Sequence, residues 1–357
     1  MPNILDPDGE GEAQPFPPSL DLNPLKLFDI AKSEGRPVYT CAPMVRYSKT
    51  VGAKLTETPQ LAFRQTVGEY GVDIAWTPMI LAKEFNRSML ARDSDFTLSP
   101  SQPATIIQFG CNSPLELSRA TSLVAPYVNG VDINCGCPQS WACAEKIGAA
   151  LMHERELVAS MIRAAKGALG KKTVSVKIRI HKDLRETVDF IKTAEEAGAD
   201  FITIHPRLRS TLSSVPANME ALKLLASITT VPTISNADIF SLSGAISHAK
   251  EMGVDGVMSA RGILQNPGLF SEKGRNGCTW EMVETFMNKV AIAPIPFKLV
   301  VHHISEMVGS DRSQRGVTLM SKEERLGMME CMNFLELVDY LDGVRAEYGG
   351  LRRDVIR

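Results

Sequence analysis

Three of the chain's seven cysteines, Cys135, Cys137 and Cys143, fall within nine positions in the stretch DINCGCPQSWACAEKIGAALM, residues 132–152. Four chemistries use cysteines placed this way. Zinc needs four ligands, usually in two pairs, and Cys-x-Cys-x5-Cys has no fourth partner in the stretch, so no metal is expected. A disulfide framework fits poorly with an odd number of cysteines scattered over 357 residues that open without a basic, then apolar, secretory leader. Packing suits Cys135, at the end of a strand-like run, and Cys143, in the helix-like segment that follows, because free cysteine commonly behaves as a small buried hydrophobe. Cys137 differs. It stands between Gly136 and Pro138, in a loop just past a strand end, where a thiol can act as nucleophile or proton donor.

Other chemistry-bearing residues mark the points where apolar runs stop: Pro43 and Met44, Thr77, Gln108, Asn134, Lys177 with Arg179, His205 with Arg207, Asn236 with Asp238, and Ala260 with Arg261. Singly, each amide reads as a strand-end cap and His205 as a structural imidazole. Lys177 is harder to set aside, since a lysine inside VSVKIRI points into a core or a barrel and needs a partner there. Taken together, these groups suit recognition of a flat heterocycle and a phosphate. Amides pair with imide-like ring edges, a lysine stabilises anionic charge on a reduced ring, and the helix start near SARG offers phosphate-binding N–H groups.

These residues sit on a repeating pattern. Eight strand-like runs, VYTCAPM (38–44), DIAWTPM (73–79), TIIQFG (105–110), GVDINCG (130–136), VSVKIRI (174–180), FITIHP (201–206), VPTISN (231–236) and GVMSA (256–260), alternate with segments of helical period. Near-continuous apolar strands between amphipathic helices predict a parallel sheet covered by helices. Eight in about 230 residues predict an α/β fold, a (β/α)8 TIM barrel, whose site lies at the C-terminal strand ends. An open doubly wound sheet is the alternative, without the glycine fingerprint of its dinucleotide-binding form. After Phe270 the strand beat stops and three or four helices follow, a small all-α C-terminal domain. Seven of the 21 prolines lie in the first 37 residues beside an acidic GEGE run, a composition that predicts a disordered arm. The expected division is therefore 1–36 arm, 37–275 barrel and 276–357 helical domain.

Composition narrows the function classes. With 44% hydrophobic and 22% charged residues the chain is an ordinary soluble globular one, and no apolar run approaches the roughly 18 residues of a membrane span. A cytoplasmic or nuclear location is expected. The net charge of -2 gives no global sign of a nucleic-acid partner, yet it is compatible with a local basic surface.

The stretch NCGCPQSWACAEKIGAALM resembles the N-x-G-C-P signature, with its downstream Gly-Ala-x-Leu, of the tRNA-dihydrouridine synthases. CAPMVRYSK, LAFR, TPMI, VKIRIH, NADI and MSARGILQNP follow in the family's order over about 310 residues, and NCGCPQ-x-WA with TPMI is similar to the eukaryotic subfamily acting at positions 20a and 20b of tRNA. The resemblance implies an FMN-dependent TIM barrel that reduces the 5,6 double bond of uridines in tRNA with NADPH or NADH. It implies that Pro43, Met44 and Val45 line the flavin; that Gln108, Lys177, His205, Asn236, Ala237 and Asp238 bind it; that Ala260 and Arg261 hold its phosphate; and that Cys137 is the catalytic proton donor. Asn134 and Arg179 are candidates for the uracil edge, and Lys298, Arg352 and Arg353 for the tRNA backbone. A monomer is expected. Three features depart from the family pattern: TVGAKLTETPQ between Lys49 and Leu61, Pro206 where glycine is usual, and Ala237 where glycine is common. A flavin barrel acting on a free pyrimidine and a tRNA-binding homologue without catalysis are the competing readings.

Overall fold

The computed structural model describes residues 3–4, 22–44, 61–89, 91–92, 96–99, 101–309 and 318–351. Eight strands form one sheet: Val38–Cys41 (β1), Ile74–Leu81 (β2), Ala104–Gly110 (β3), Gly130–Cys135 (β4), Thr173–Arg179 (β5), Phe201–His205 (β6), Thr233–Ser235 (β7) and Gly256–Ser259 (β8). Every pairing is parallel and each strand neighbours the next in sequence. The sheet closes where β8 pairs with β1, from Gly256 opposite Val38 to Ser259 opposite Cys41. This is the expected (β/α)8 barrel. Its helices include Leu61–Glu69 (α2), Ala82–Arg87 (α3), Pro114–Val124 (α4), Arg155–Leu169 (α5), Leu184–Glu196 (α6), Met219–Ile228 (α7) and Leu242–Met252 (α8).

The helix ends follow from local sequence. Ser113, Asp183, Asn218 and Ser241 each accept a first-turn N–H as N-caps, and Gly253 closes α8 in the left-handed region at φ 69°. Strand β2 carries a proline, which cannot donate to the ladder. Its register shifts between Trp76 and Met79, and the N–H of Gln108 is taken by Thr77 Oγ1 at 3.1 Å.

Strand residues alternate between two environments. Ile107, Phe109, Val131, Ile133, Val174, Val176 and Ile178 pack outward under the helices, while Ile74, Trp76, Ala104, Ile106, Phe201, Ile234 and Met258 fill the interior. The interior apolar residues of β2, β3 and β6 come first along their strands, so they occupy the barrel's N-terminal end.

That end is plugged by a helix, Pro24–Ser33 (α1), within the segment for which a disordered arm is expected. Asn23 Oδ1 accepts the N–H of Leu25 at 2.9 Å and Pro24 opens the helix. Phe28 then lies 5.6 Å from Phe201, whose ring is 6.0 Å from Trp76. The proline density of the first 37 residues hides a cap-and-proline helix start, and burial of Phe28 and Ala31 holds the helix in place. Residues 5–21 of the expected arm lie outside the described residues.

Among the described residues four helices follow the barrel: Trp280–Ile292 (α9), Phe297–Met307 (α10), Lys322–Glu330 (α11) and Phe334–Leu351 (α12). They are seated on α2. Phe63 packs edge-on against Phe286 and stacks on His303 at 4.8 Å, Tyr70 Oη meets Thr285 Oγ1 at 3.1 Å, and Lys289 pairs with Glu69. No helix among the described residues is long and apolar enough to cross a membrane.

His303 is 1% exposed, and neither ring nitrogen has a hydrogen-bond partner among the described residues. Burial, with His302 alongside, holds its pKa down at about 3. Its folded pKa lies below the unfolded value of about 6.5, so this group lowers stability as pH falls from about 6.5 towards 3 and has no further effect below that. Replacing it with leucine removes two unsatisfied polar atoms. Thermal melts of His303→Leu are expected to show a gain of about 1–3 kcal/mol at pH 7 and a shallower decline than the parent chain between pH 6.5 and 4.

Candidate active site

The polar residues of β3, β4 and β5 form a continuous hydrogen-bonded set inside the barrel. Gln108 and Asp132 are register partners, as are Asp132 and Ser175. The Asp132 carboxylate accepts Gln108 Nε2 at 2.7 Å and Ser175 Oγ at 2.6 Å. Gln108 Oε1 accepts Asn134 Nδ2 at 2.7 Å, and Asn134 Oδ1 accepts the backbone N–H groups of Gly136 and Cys137 at 3.1 and 2.8 Å. Asp132 is fully buried. Burial pushes its pKa up to about 6, against the pull of the Ser175 and Gln108 hydrogen bonds and the charge of Lys177.

Cys137 stands on the loop that this set reaches. The carbonyl of Gly136 accepts Arg179 Nε at 2.9 Å, and the carbonyl of Cys137 accepts the N–H of Ala149 at 2.8 Å. Gly148 is left-handed at φ 62°, and a Cβ there would meet the Cys137 carbonyl oxygen at 2.7 Å, so only glycine lets the following 3-10 turn approach. Burial raises the Cys137 thiol pKa, with Lys177 and Arg179 pulling the other way, and the group is a protonated thiol at neutral pH. Cys135 is fully buried on the outward face of β4, and its pKa is raised further by burial and Asp132. All seven cysteines are free.

Across the mouth, Lys177 is 9% exposed and its Nζ makes no hydrogen bond among the described residues. Burial first, then Arg179, lowers its pKa to about 8. The partner expected for it from the sequence is therefore a nearby charge, Asp132, rather than a bonded group. His205 is held neutral, its pKa lowered to about 2 by burial and by Lys177, Arg179, Arg207 and Arg261. Its Nε2 accepts from Arg207 Nη1 at 3.1 Å, which leaves the proton on Nδ1. Pro206 shapes this contact: the N–H of Arg207 donates to the His205 carbonyl at 2.7 Å across the proline, a γ-turn that folds the arginine back over the imidazole. Asp238 lies between two guanidiniums, paired with Arg207 and with Arg261. Asn236 Nδ2 donates to the Met258 carbonyl at 3.1 Å. Ala260 precedes the short helix Arg261–Gln265, where a Cβ on Gly262 would meet the Ile239 carbonyl and Ser259 Oγ.

The structure thus brings Gln108, Asn134, Cys137, Lys177, Arg179, His205, Asn236, Ala237, Asp238, Ala260 and Arg261 to the C-terminal end of one barrel, with Pro43 and Met44 at the end of β1. Val45, the segment between Lys49 and Leu61, Arg352 and Arg353 lie outside the described residues. Two expected contacts are committed to the protein itself. Arg179 spends Nε on Gly136 and Nη1 on the Leu208 carbonyl at 2.8 Å, and Asp238 is taken up by arginines. The sequence reading missed Asp132 and Ser175, and it met Gly148 only as the first residue of the Gly-Ala-x-Leu motif, without its role. The acid inside GVDINCG, two residues before Asn134 and so on the same strand face, was the available signal.

A second cluster, His153, His181 and Glu186, has ligand-type atoms within 4.8 Å of one another. His181 is already spoken for: Nε2 faces the Met152 carbonyl at 2.8 Å and Nδ1 faces Thr187 Oγ1 at 2.9 Å. That arrangement fixes the ring without a metal.

Residues 52–328 match the dihydrouridine synthase family. The chain is 40% identical over 321 residues to a tRNA-dihydrouridine(20a/20b) synthase [NAD(P)+] of Schizosaccharomyces pombe, covering 90% of this chain and 91% of that protein. It is 40% identical over 328 residues to the protein of the same name from Saccharomyces cerevisiae, covering 90% and 84%. A human tRNA-dihydrouridine(20a/20b) synthase [NAD(P)+]-like protein is 41% identical over 266 residues, covering 73% and 79%. This chain belongs to the dihydrouridine synthase family.

In this dihydrouridine synthase family member, a planar cofactor with anionic ring and phosphate groups fits the residues present. Lys177 is a buried ammonium with no hydrogen-bond acceptor among the described residues, His205 offers Nδ1–H, and Arg207 and Arg261 both pair with Asp238 beside it. The thiol loop depends on Gly148. In Gly148→Ala the left-handed backbone alone costs about 1–2 kcal/mol, and the clash with Cys137 adds to it. Urea titration is expected to show at least that loss, and iodoacetamide is expected to label Cys137 at a changed rate while Cys278 is unaffected.

Proposed function

We propose that the chain reduces uridine in tRNA to 5,6-dihydrouridine, with FMN as resident cofactor and NADPH or NADH as the source of electrons. The observation that carries the reading is the pairing, at one barrel mouth, of a buried ammonium with no hydrogen-bond partner among the described residues and a protonated thiol on a fixed loop, in a chain of this family. The substrate follows the names of the yeast relatives, which specify positions 20a and 20b of tRNA.

When bound, FMN supplies a hydride to C6 of the uracil. The residues of the chain do the rest. Lys177 and His205 Nδ1–H would hold the ring, Gln108 would have one Nε2–H left for its edge, and Asn236 would keep Oδ1 as an acceptor. Pro43 and Met44, at the end of β1, would line the cofactor, with Ala237 at the same end of the barrel. Arg261, beside Ala260, meets the phosphate, and Asp238 holds Arg207 and Arg261 in place for it. Negative charge developing across C5 and O4 of the uracil is met by a proton from Cys137: the S–H bond breaks, a C5–H bond forms, and solvent reprotonates the thiolate. A raised thiol pKa keeps this donor loaded at neutral pH. Asn134 and Arg179 hold the loop and present their remaining polar edges to the base.

The uridine must leave the tRNA fold to reach this depth. The helical segment 276–357 is the docking surface, with exposed Lys298 as one backbone contact. The protein acts as a monomer in the cytoplasm or nucleus, without a metal.

Purified protein is expected to be yellow, and colourless protein that FMN does not restore would refute the flavin reading. Cys137→Ala is expected to keep the flavin and oxidise NADPH while dihydrouridine formation falls by about 10²-fold or more, the size of a lost general acid. Cys135→Ala and Cys143→Ala are expected to stay within about threefold of the parent chain. Liquid chromatography of tRNA digests distinguishes these outcomes, and equal product from Cys137→Ala would end the proton-donor role.

A further inference from the structure

The hydrogen-bonded set of β3, β4 and β5 has a direction. A carboxylate only accepts hydrogen bonds, so the end of Gln108 facing Asp132 must be its NH2. Oε1 therefore faces Asn134, which must present Nδ2 to it, and this turns Asn134 Oδ1 onto the N–H groups of Gly136 and Cys137. The far end of the relay demands the same orientation independently, because two backbone donors can be met only by an oxygen. One buried acid and two loop amides, separated by two side chains, thus agree on a single arrangement.

We propose that Asp132 is a positioning residue for the catalytic loop: by polarising Gln108 and Asn134 in series, it fixes the backbone of Cys137 without touching substrate, cofactor or thiol. Its consequence for catalysis rests on the reading of Cys137 as proton donor. The relay itself does not, so it is tested without flavin turnover or tRNA.

Asparagine at 132 removes the compulsion. In Asp132→Asn the parent order survives only where Ser175 Oγ turns from donor to acceptor; where it keeps donating, as it does to Asp132 in the parent chain at 2.6 Å, it takes the new amide oxygen. That turns the amide nitrogen on Gln108, and each amide beyond it is driven to the reverse orientation, ending with Asn134 Nδ2 against the N–H of Cys137. Adding Gln108→Glu restores the order, since the amide nitrogen introduced at position 132 then donates to the carboxylate introduced at position 108, whose other oxygen accepts from Asn134.

Hydrogen exchange of the full chain, read by NMR at single amides, is the experiment. In the parent chain the amides of Gly136 and Cys137 are expected to be protected. In Asp132→Asn both are expected to exchange about tenfold faster, the loss of one typical hydrogen bond, with the amides of β1 and β8 unchanged. The double variant Asp132→Asn, Gln108→Glu is expected to recover most of the protection. Unchanged protection in Asp132→Asn, or no recovery in the double variant, would overturn the proposal. Should Asp132→Asn not fold, Gln108→Leu cuts the relay at its middle. It must expose the same two amides, and protection surviving there refutes the relay. In single-turnover assays with pre-reduced protein, Asp132→Asn is expected to lower the rate of dihydrouridine formation about tenfold, with the KM for tRNA and the rate of flavin reduction by NADPH within about twofold of the parent. A uniform loss across all three would mark Asp132 as merely structural. If the exchange result holds while Cys137→Ala remains fully active, the relay stands and the proton-donor reading falls.

Discussion

A closed parallel barrel gives its strands two directions only, under the helices or into the interior, and every polar group turned inward must find its partner there. Asp132, Ser175, Gln108 and Asn134 face inward by the alternation of β3, β4 and β5, and water cannot serve them at that depth. They satisfy one another instead. The order of that satisfaction is set by the one member that cannot donate, and the chain of bonds ends on the loop that carries Cys137.

Both ends of the barrel are shaped by the same constraint. Apolar residues occupy the early strand positions and α1 closes over them through Phe28, so the polar residues of the late positions have one exit, the C-terminal mouth. The helices after residue 280 meet the barrel at α2 and at the short helix Arg261–Gln265. They brace the barrel wall through Phe63, Phe286 and His303. The imidazole of His303, without a hydrogen-bond partner among the described residues, is the weak point of the apolar part of this junction, and its ring contacts with Phe63 and Phe286 are what remains to hold it.

Much of this was legible in the residues. The eight apolar runs gave the strands to within two or three residues, since parallel strands buried on both sides leave little room for polar interruption. The residues where those runs stop form the mouth. Cys137 was separable from Cys135 by position, one past the strand end and one on its outward face. What was not legible depended on contacts between strands. Asp132 carries no signal of its partners within GVDINCG because they are 24 and 43 residues away along the chain. Arg179 read as a substrate contact because the carbonyls of Gly136 and Leu208 that engage it belong to other elements. Helix α1 was obscured by composition: its cap and first proline, Asn23-Pro24, sit in a stretch whose proline content argued for disorder, and only the cavity at the barrel floor gives Phe28 a reason to be ordered.

The electrostatics of the mouth follow from how these groups are shared. Lys177, Arg179, Arg207 and Arg261 bring four cations near His205, while Asp132 and Asp238 bring two carboxylates. Asp238 is consumed by two of the arginines, and Arg179 is bonded to backbone, so the positive charge left facing the interior is concentrated on Lys177. An ammonium so placed favours the thiolate of Cys137, and burial opposes it. Burial wins, and the thiol keeps its proton. A donor that must release a proton only when charge develops on a bound base is served by that balance: the nearby cation stabilises the thiolate once it forms, and the dry setting prevents it from forming early.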